Sequence, residues 1–331
     1  MRKILFIALI FAFGFARAQE TGIISNTEWN GYTQLRAYSN LNDNQGFLLR
    51  RMKLWLESTP EFSKHWSYKI QSTITSLQQE KFFLQDVKVS YNTGLFSFDF
   101  GQFVPAYSLQ RSQPDWKIPS IERAMVVDAI IPSGSLGVRD IGMQANFQTK
   151  NTFFQTSVGI FNGNGIIEYR FNNQAYMITN KSSLTIPVNE NKILVGYSVL
   201  YRKADNLNIP KVLEDTVALT GNDFRYNLFA RFESKFVDIQ AEYLYANLEK
   251  SIADGYYILA NVNIQKSQLV FAYEKYNDVI STTNDDPYLH IGYNYLFDKQ
   301  KIMLFFDNSV QLINNKVENY IASIQLQVFF K

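Results

Sequence analysis

The chain of 331 residues contains no cysteine and only two histidines, His65 and His290. Without cysteine, the protein has no disulfide bonds and no cysteine-based metal site. Two histidines also argue against a zinc site, and they leave little material for a serine–histidine catalytic arrangement. We therefore expect neither a metal ion nor another cofactor, and we expect the protein not to be an enzyme.

The chain also lacks a run of 18 or more apolar residues, so the sequence predicts no membrane-spanning helix. Two basic residues precede an apolar run of about 12 residues at 4–15, and the small-x-small tripeptide Ala-Arg-Ala follows at 16–18. This order is typical of a secretory signal peptide. We predict that residues 1–18 are a cleaved signal peptide and that residues 19–331 form one exported domain.

Net charge is low as well. Removing the three basic residues of the signal peptide from the total of 32 leaves 29, against 30 acidic residues. This balance gives no reason to expect a nucleic-acid partner. Aromatic residues are abundant, with 27 Phe and 20 Tyr, yet mean hydropathy is slightly negative. Such a composition is typical of a membrane β-barrel with aromatic girdles and a polar interior.

Alternation of apolar and polar residues recurs along the chain and predicts about 16 strands. They lie near residues 28–38, 46–58, 66–76, 82–91, 95–103, 140–148, 152–162, 177–187, 192–202, 224–232, 237–245, 256–263, 268–277, 287–297, 301–312 and 319–330. In the tenth and eleventh of these strands, charged residues occupy one face only. Because hydrocarbon cannot satisfy an open strand edge, the sequence predicts an all-β transmembrane antiparallel barrel.

The lengths of the connections give the barrel a direction. Those after even-numbered strands are short, whereas those after odd-numbered strands are generally longer, the longest near 104–139, 203–223 and 163–175. Short turns at one rim and long loops at the other are typical of outer-membrane barrels. An even number of strands also places both ends of the chain at the short-turn rim.

The segment 104–139 is too apolar for a solvated loop, because it includes Ile118, Val126, Val127 and Ile130. A segment of this composition must be buried. We expect it to fold into the barrel as a constriction loop. The alternative is a loop that packs over the outer mouth or against a neighbouring subunit.

Several segments together resemble the phosphate-selective porin O and P family. They are Gly46-Phe47-Leu48-Leu49-Arg50-Arg51-Met52-Lys53-Leu54, Leu84-Gln85-Asp86-Val87-Lys88-Val89, Phe98-Asp99-Phe100-Gly101-Gln102-Phe103, Ser120-Ile121-Glu122-Arg123, Arg139-Asp140-Ile141-Gly142 and Gly159-Ile160-Phe161-Asn162-Gly163. They occur in the family's order and cover about the first half of the mature chain. The resemblance implies a 16-stranded, trimeric porin whose interior presents basic side chains to anions. Val104 and Pro105 stand where relatives often have a basic residue, so small anions in general are a safer expectation than phosphate.

Basic side chains that face the interior are the candidate pore-lining and anion-binding residues. On the strands, alternation selects Arg36, Arg51, Lys53, Lys69, Lys88, Arg225 and Arg231. On or beside the segment 104–139 lie Arg111, Lys117, Arg123 and Arg139. The same region carries four acidic residues, namely Asp115, Glu122, Asp128 and Asp140. Each charge could therefore pair across the barrel and hold its shape instead of binding a solute.

These observations predict a porin in the outer membrane of a Gram-negative bacterium, through which small solutes diffuse, with anions such as phosphate preferred. Its partners would be those solutes, outer-membrane lipid and two further copies of the chain in a homotrimer. Two other classes stay open. A structural or adhesive barrel would conduct nothing, and a barrel phospholipase would need a serine near a histidine on the lipid side.

Overall fold

The computed structural model describes residues 26–76, 81–131, 138–166, 176–209, 211–214, 216–280, 285–314 and 316–330. The predicted signal peptide lies outside these residues. The described residues form sixteen strands: β1 (Asn26–Ser39), β2 (Gln45–Thr59), β3 (Trp66–Thr75), β4 (Lys81–Asn92), β5 (Phe96–Phe103), β6 (Asp140–Gln148), β7 (Phe154–Phe161), β8 (Met177–Val188), β9 (Asn191–Asn208), β10 (Ala218–Glu233), β11 (Val237–Leu248), β12 (Ser251–Ile264), β13 (Ser267–Asn277), β14 (Tyr288–Asp298), β15 (Ile302–Ile313) and β16 (Lys316–Phe329). Short helices α1 (Leu109–Ser112) and α2 (Met125–Ile130), with the 3-10 helix Asp115–Lys117, lie between β5 and β6.

The strands form a closed antiparallel barrel. Each strand pairs with its neighbours in sequence, and β1 also pairs with β16, with Tyr32 opposite Phe329. Closure leaves no open strand edge, as a lipid environment requires. The predicted fold class and the number of strands are confirmed. None of the helices in the described part of the chain is long and apolar enough to cross a membrane.

The two faces of the wall differ in chemistry. On β10, Leu228 points outward and is 54% exposed, whereas its neighbour Asn227 points inward and is fully buried. β11 follows the same rule, because Tyr243, which lies opposite Leu228, points outward and its neighbour Glu242 is buried inside. Alternation therefore assigns the faces of these strands correctly, because a strand in a barrel wall shows one face to lipid and the other to the interior.

The predicted loop at 203–223 is wrong. β9 continues to Asn208 and β10 begins at Ala218, so the connection covers only residues 209–217. In this part of β9 the polarity of the two faces is reversed, because Ala204 is buried inside while Lys203 is exposed. At about 3.3 Å per residue the strand is far longer than the roughly 25 Å apolar band, so its outer end can carry polar residues.

The longest connections of the barrel all follow odd-numbered strands. The connections after even-numbered strands have two to six residues, whereas the connection between β5 and β6 runs from 104 to 139 and that between β7 and β8 from 162 to 176. Four connections after odd-numbered strands depart from the rule, because the β1–β2 and β3–β4 connections have only five residues each and the β11–β12 and β15–β16 turns have only two. We call the two rims the short-turn rim and the long-loop rim.

Residues 104–131, which we call the inward segment, pack inside the barrel against the β11–β13 wall. Val126, Val127, Ile130 and Ile131 are buried in one apolar cluster with inward side chains of that wall, among them Leu244, Ala246, Leu259 and Val270. Gly255 on β12 permits this close approach, because a Cβ atom there would lie 2.9 Å from Val126 Cγ2. The interior of β11–β13 is therefore largely apolar under α2, with Glu274 accepting a hydrogen bond from the Met125 N–H group at 2.6 Å.

Candidate functional site

The inward segment is anchored at its start by Glu242 on β11. The buried carboxylate accepts hydrogen bonds from the N–H groups of Leu109 (2.8 Å) and Gln110 (2.6 Å) and from the Ser108 hydroxyl (3.0 Å). The Tyr257 hydroxyl donates to the same carboxylate at 2.7 Å. The N–H groups at the start of a helix have no partner within it, and Glu242 supplies one for α1. This contact fixes where the segment enters the lumen.

Arg225 on β10 anchors the far end of α2. Its guanidinium donates to the carbonyl oxygens of Ile130 (2.6 Å) and Ile131 (3.2 Å), and it pairs with Asp223 at 2.7 Å. Asp223 also binds Arg202 at 2.7 Å, so the carboxylate lies between two guanidinium groups. Arg225 points inward as predicted, but it is only 1% exposed. The geometry gives it a role in holding the segment, because the segment separates it from open space.

Glu122 attaches the inward segment to the opposite wall. Its carboxylate binds Arg36 on β1 at 2.7 Å and both Nε (2.5 Å) and Nη2 (2.7 Å) of Arg50 on β2. Nearby, the amide of Asn294 on β14 donates to the Pro119 carbonyl oxygen at 2.8 Å. The segment therefore crosses the interior from the β11–β13 wall to β14, β1 and β2.

Asp115 is the second acidic contact of the segment with the wall. Its Oδ2 atom lies 2.7 Å from Arg51 Nη1 and also contacts Lys53 Nζ, and its Oδ1 atom lies 2.6 Å from Arg123 Nη2. Three cations thus converge on one carboxylate. Arg51 and Lys53 belong to β2, whereas Arg123 belongs to the inward segment itself. The carboxylate bridges the segment and the wall.

A β-bulge explains how two consecutive arginines of β2 both reach the interior. Gln34 pairs with Arg51 but Leu35 pairs with Leu49, so Arg50 is the extra residue of the bulged strand. Alternation alone would point Arg50 outward, and for that reason the sequence-based set omitted it. A bulge can redirect a side chain in this way, and bulges are common near functional sites. The dipeptide Arg50-Arg51, which strict alternation would place on both faces of one strand, is the signal that could have indicated it.

Two cavities lie on the β1–β6 side of the inward segment. The larger, of about 1140 Å³, reaches the short turn at Lys299 and Lys301. The smaller, of about 380 Å³, includes Thr75 and Ile166 towards the long-loop rim. Five residues line both cavities and define what we call the neck: Lys53, Arg111, Asp115, Arg123 and Arg139. Four of the five are basic, so the neck carries an excess of positive charge.

Nearby cations lower the pKa values of two acidic side chains of the inward segment, Asp115 and Glu122. Burial alone would raise the pKa of Asp115, but the neighbouring Lys53 and Arg51 outweigh it and hold the pKa well below its usual range. Glu122 behaves in the same way, because its bonds to Arg50 lower its pKa to about 2 against the effect of burial. Both carboxylates are therefore ionised at neutral pH.

Arg111 differs from its neighbours in the neck. No ion pair or hydrogen bond of its guanidinium occurs within the described residues, and its Nε atom is buried without a partner. Burial, together with the nearby charge of Arg123, lowers the pKa of Arg111 to about 9, so it keeps its proton at neutral pH. Arg111 is thus a cation at the neck whose charge is not matched by a bonded carboxylate.

The other residues selected from the sequence fall into separate places. Lys69 and Lys88 line the larger cavity, paired with Glu57 (2.9 Å) and Asp99 (3.2 Å). Lys117 and Arg231 line a different cavity of about 310 Å³ on the β10–β13 side. Arg36 lines a small cavity of about 170 Å³ beside Glu122. Only Lys53, Arg111, Arg123 and Arg139 of the selected set meet at the neck, with Arg51 next to them in the smaller cavity.

Sequence reasoning also missed two interior cations, Arg202, which pairs with Asp223, and Lys181. Lys181 on β8 donates to the Ser108 carbonyl oxygen and to the Ser112 hydroxyl, both at 2.7 Å, and lies over the Phe229 ring. Lys181 thus contacts both the residue before α1 and the last residue of α1. The inward orientation of Lys181 was not predictable, because its neighbours Asn180 and Ser182 are polar and β8 shows no clear alternation there.

A closed sixteen-stranded barrel with a polar interior, an apolar outer face and an inward segment defines a channel-forming outer-membrane protein of the porin class. The chain belongs to the phosphate-selective porin O and P family, whose model matches residues 25–289. No curated protein matches the sequence closely enough to be informative. Family and fold together favour a channel over an enzyme.

Solved porin structures share the fold at low sequence identity. OmpF of Salmonella typhi, solved with daunomycin, has a TM-score of 0.66 at 10% identity, covering 93% of this chain and 98% of that one. The anion-selective porin from Comamonas acidovorans has a TM-score of 0.64 at 11% identity, covering 92% and 99%. OmpT of Vibrio cholerae in its trimer form has a TM-score of 0.63 at 10% identity, covering 92% and 99%.

Proposed function

We propose that the protein is an outer-membrane channel through which small anions, phosphate among them, diffuse in preference to cations. The neck supports this proposal, because four of its five residues are basic. Arg111 carries it furthest, since a guanidinium without a bonded carboxylate attracts a passing anion and repels a cation. The similarity of the fold to that of an anion-selective porin agrees with the proposed preference for anions.

Replacing Arg111 with Gln tests the proposal. At the dielectric constant of water, one unit charge at about 7 Å changes the local concentration of a monovalent ion by about threefold. Arg111→Gln should therefore lower the anion-to-cation permeability ratio, measured from the reversal potential of reconstituted channels under a KCl gradient. Lys117→Gln is the matched control, because it removes the same charge from the same segment but lines a different cavity. A cation-selective wild-type channel, or an unchanged ratio in Arg111→Gln, contradicts the proposal.

Export and assembly form part of the same proposal. We propose that residues 1–18 are removed on export, that residues 19–331 form the barrel, and that three copies associate. The short connections would face the periplasm, as in other outer-membrane barrels. The trimer form of the Vibrio cholerae neighbour supports the number of copies. Mass spectrometry of the mature N-terminus and cross-linking in outer-membrane fractions test these two points.

A further inference from the structure

We infer that Asp115 is an internal competitor for the anion-binding groups of the neck, so that the channel passes anions without retaining them. This inference rests on the proposed anion preference and adds a residue that limits it. The carboxylate is part of the chain and occupies donors that a permeating oxyanion would otherwise use.

The contacts of Asp115 resemble those of a bound oxyanion. Arg51 Nη1 and Lys53 Nζ meet one oxygen of the carboxylate, and Arg123 Nη2 meets the other. Guanidinium and ammonium groups from two different elements would bind a phosphate or a free carboxylate through the same kind of contact. Asp115 also lines both cavities, so its oxygens lie at the boundary of the route and not behind it.

Asp115 accepts contacts from only some of the hydrogen-bond donors that line the neck. The guanidinium of Arg111 forms no ion pair or hydrogen bond within the described residues, although Arg111 lines both cavities. A guanidinium carries five N–H donors, so Arg111 can donate to a small anion that enters the neck. The neck therefore offers an anion some donors that are free and others that Asp115 already holds.

This arrangement suits a channel better than a tight binding site. Conduction requires that an ion bind well enough to enter but weakly enough to leave. Without Asp115, only Arg139 of the four basic neck residues would keep a bonded carboxylate within the described residues, namely Asp86 at 2.9 Å, and an oxyanion would leave more slowly. With Asp115 in place, each anion exchanges contacts with a carboxylate that returns when the anion departs.

Asp115→Asn tests the inference because it removes the charge and keeps the size of the side chain. One unit charge at about 7 Å in water changes the concentrations of anions and cations by about threefold each, in opposite senses. The anion-to-cation permeability ratio should therefore rise by up to about ninefold. Phosphate added to a chloride solution should also reduce the chloride current at a lower concentration than in the wild type.

Asp238→Asn is the matched control. Asp238 is also an inward carboxylate in an ion pair, with Arg231 at 2.5 Å, but it lines the 310 Å³ cavity instead of the neck. Its replacement should leave the permeability ratio and the phosphate concentration dependence unchanged. An equal rise in both variants would mean that any added positive charge suffices, and it would overturn the inference.

A second pair of variants separates the loss of charge from a displaced segment. Adding Lys53→Gln to Asp115→Asn restores the charge balance of the neck, so the permeability ratio should return towards the wild-type value. A ratio that stays high would point to a displaced segment and overturn the inference. Where Asp115→Asn alone does not assemble, the double variant is compared with Lys53→Gln alone, and loss of the carboxylate must again raise the ratio.

The failure of this inference is distinguishable from that of the proposed function. A wild-type channel that prefers cations contradicts the proposed function. An anion-selective wild type whose permeability ratio does not change in Asp115→Asn contradicts only the role of Asp115.

Discussion

The anchor at Glu242 leads to the most detailed prediction, which concerns the stability of the inward segment. The carboxylate accepts five hydrogen bonds, three from residues 108–110 and two from Asn227 (2.9 Å) and Tyr257 (2.7 Å). In Glu242→Gln, one oxygen becomes an NH₂ group that faces donors instead of accepting from them. We expect at least one of the donors of residues 108–110 to lose its hydrogen-bond acceptor. The other donors would then bind a neutral amide oxygen instead of a charged carboxylate.

The expected cost follows from those bonds. A hydrogen bond to a charged group contributes about 1.5–3 kcal/mol, and a buried donor left without a partner costs about 1–3 kcal/mol. Docking of the segment should therefore weaken by about 2–4 kcal/mol, which shifts the equilibrium between docked and undocked segment roughly 30-fold to 800-fold. The apolar contacts of α2 with the β11–β13 wall do not involve this carboxylate, so the barrel itself should stay folded.

Limited proteolysis and single-channel recording measure this change. The segment of the reconstituted variant should be cut faster by proteases added from either rim, and its current should fluctuate more than that of the wild type. Asp99→Asn is the control, because Asp99 is also a buried carboxylate but binds Ser90 and Asn146 on neighbouring strands. Equal cleavage rates and equal current noise in Glu242→Gln and the wild type would refute the assigned anchor.

Two further predictions concern the barrel and pH. Gly101 has φ +116, and a Cβ atom there would lie 2.2 Å from the Val87 carbonyl oxygen. Gly101→Ala should therefore lower the free energy of unfolding by about 3 kcal/mol or more. Urea denaturation in lipid vesicles measures this change. Gly94→Ala, with φ +93 and open space, should cost only about 1 kcal/mol, and equal losses would contradict the steric argument. Because the pKa of Glu122 is lowered to about 2, its contribution to docking should be complete above its unfolded pKa of about 4.5 and be lost as pH falls towards 2. Current noise that rises between pH 7 and pH 5 would argue against this assignment.

The strands were predictable because each satisfies a local rule. A strand in a barrel wall alternates between lipid and the interior, and this period of two is visible within any ten residues. The rule failed at 203–223, where β9 and β10 extend beyond the apolar band and their outward residues are polar. In these strand ends the polar residues point outward and apolar residues point inward. From the sequence alone, this pattern is easily mistaken for a hydrophilic loop.

The contacts of the neck were not predictable in the same way. The composition of residues 104–139 indicated that this segment is buried, but its path depends on partners far away in sequence, such as Glu242 and Arg225. Arg50 required knowledge of a bulge, which depends on the register between β1 and β2. Arg225 was placed on the correct face, yet only the fold shows that the segment covers it. The nearly equal numbers of acidic and basic residues in the sequence also gave no indication that basic residues predominate at the neck.

Conductance of the purified, refolded wild-type protein in a planar lipid bilayer tests the central claim most directly. The account predicts stepwise current increases as channels insert, with a reversal potential under a KCl gradient that shows preference for chloride. A folded barrel that inserts into the bilayer without conducting would contradict the account.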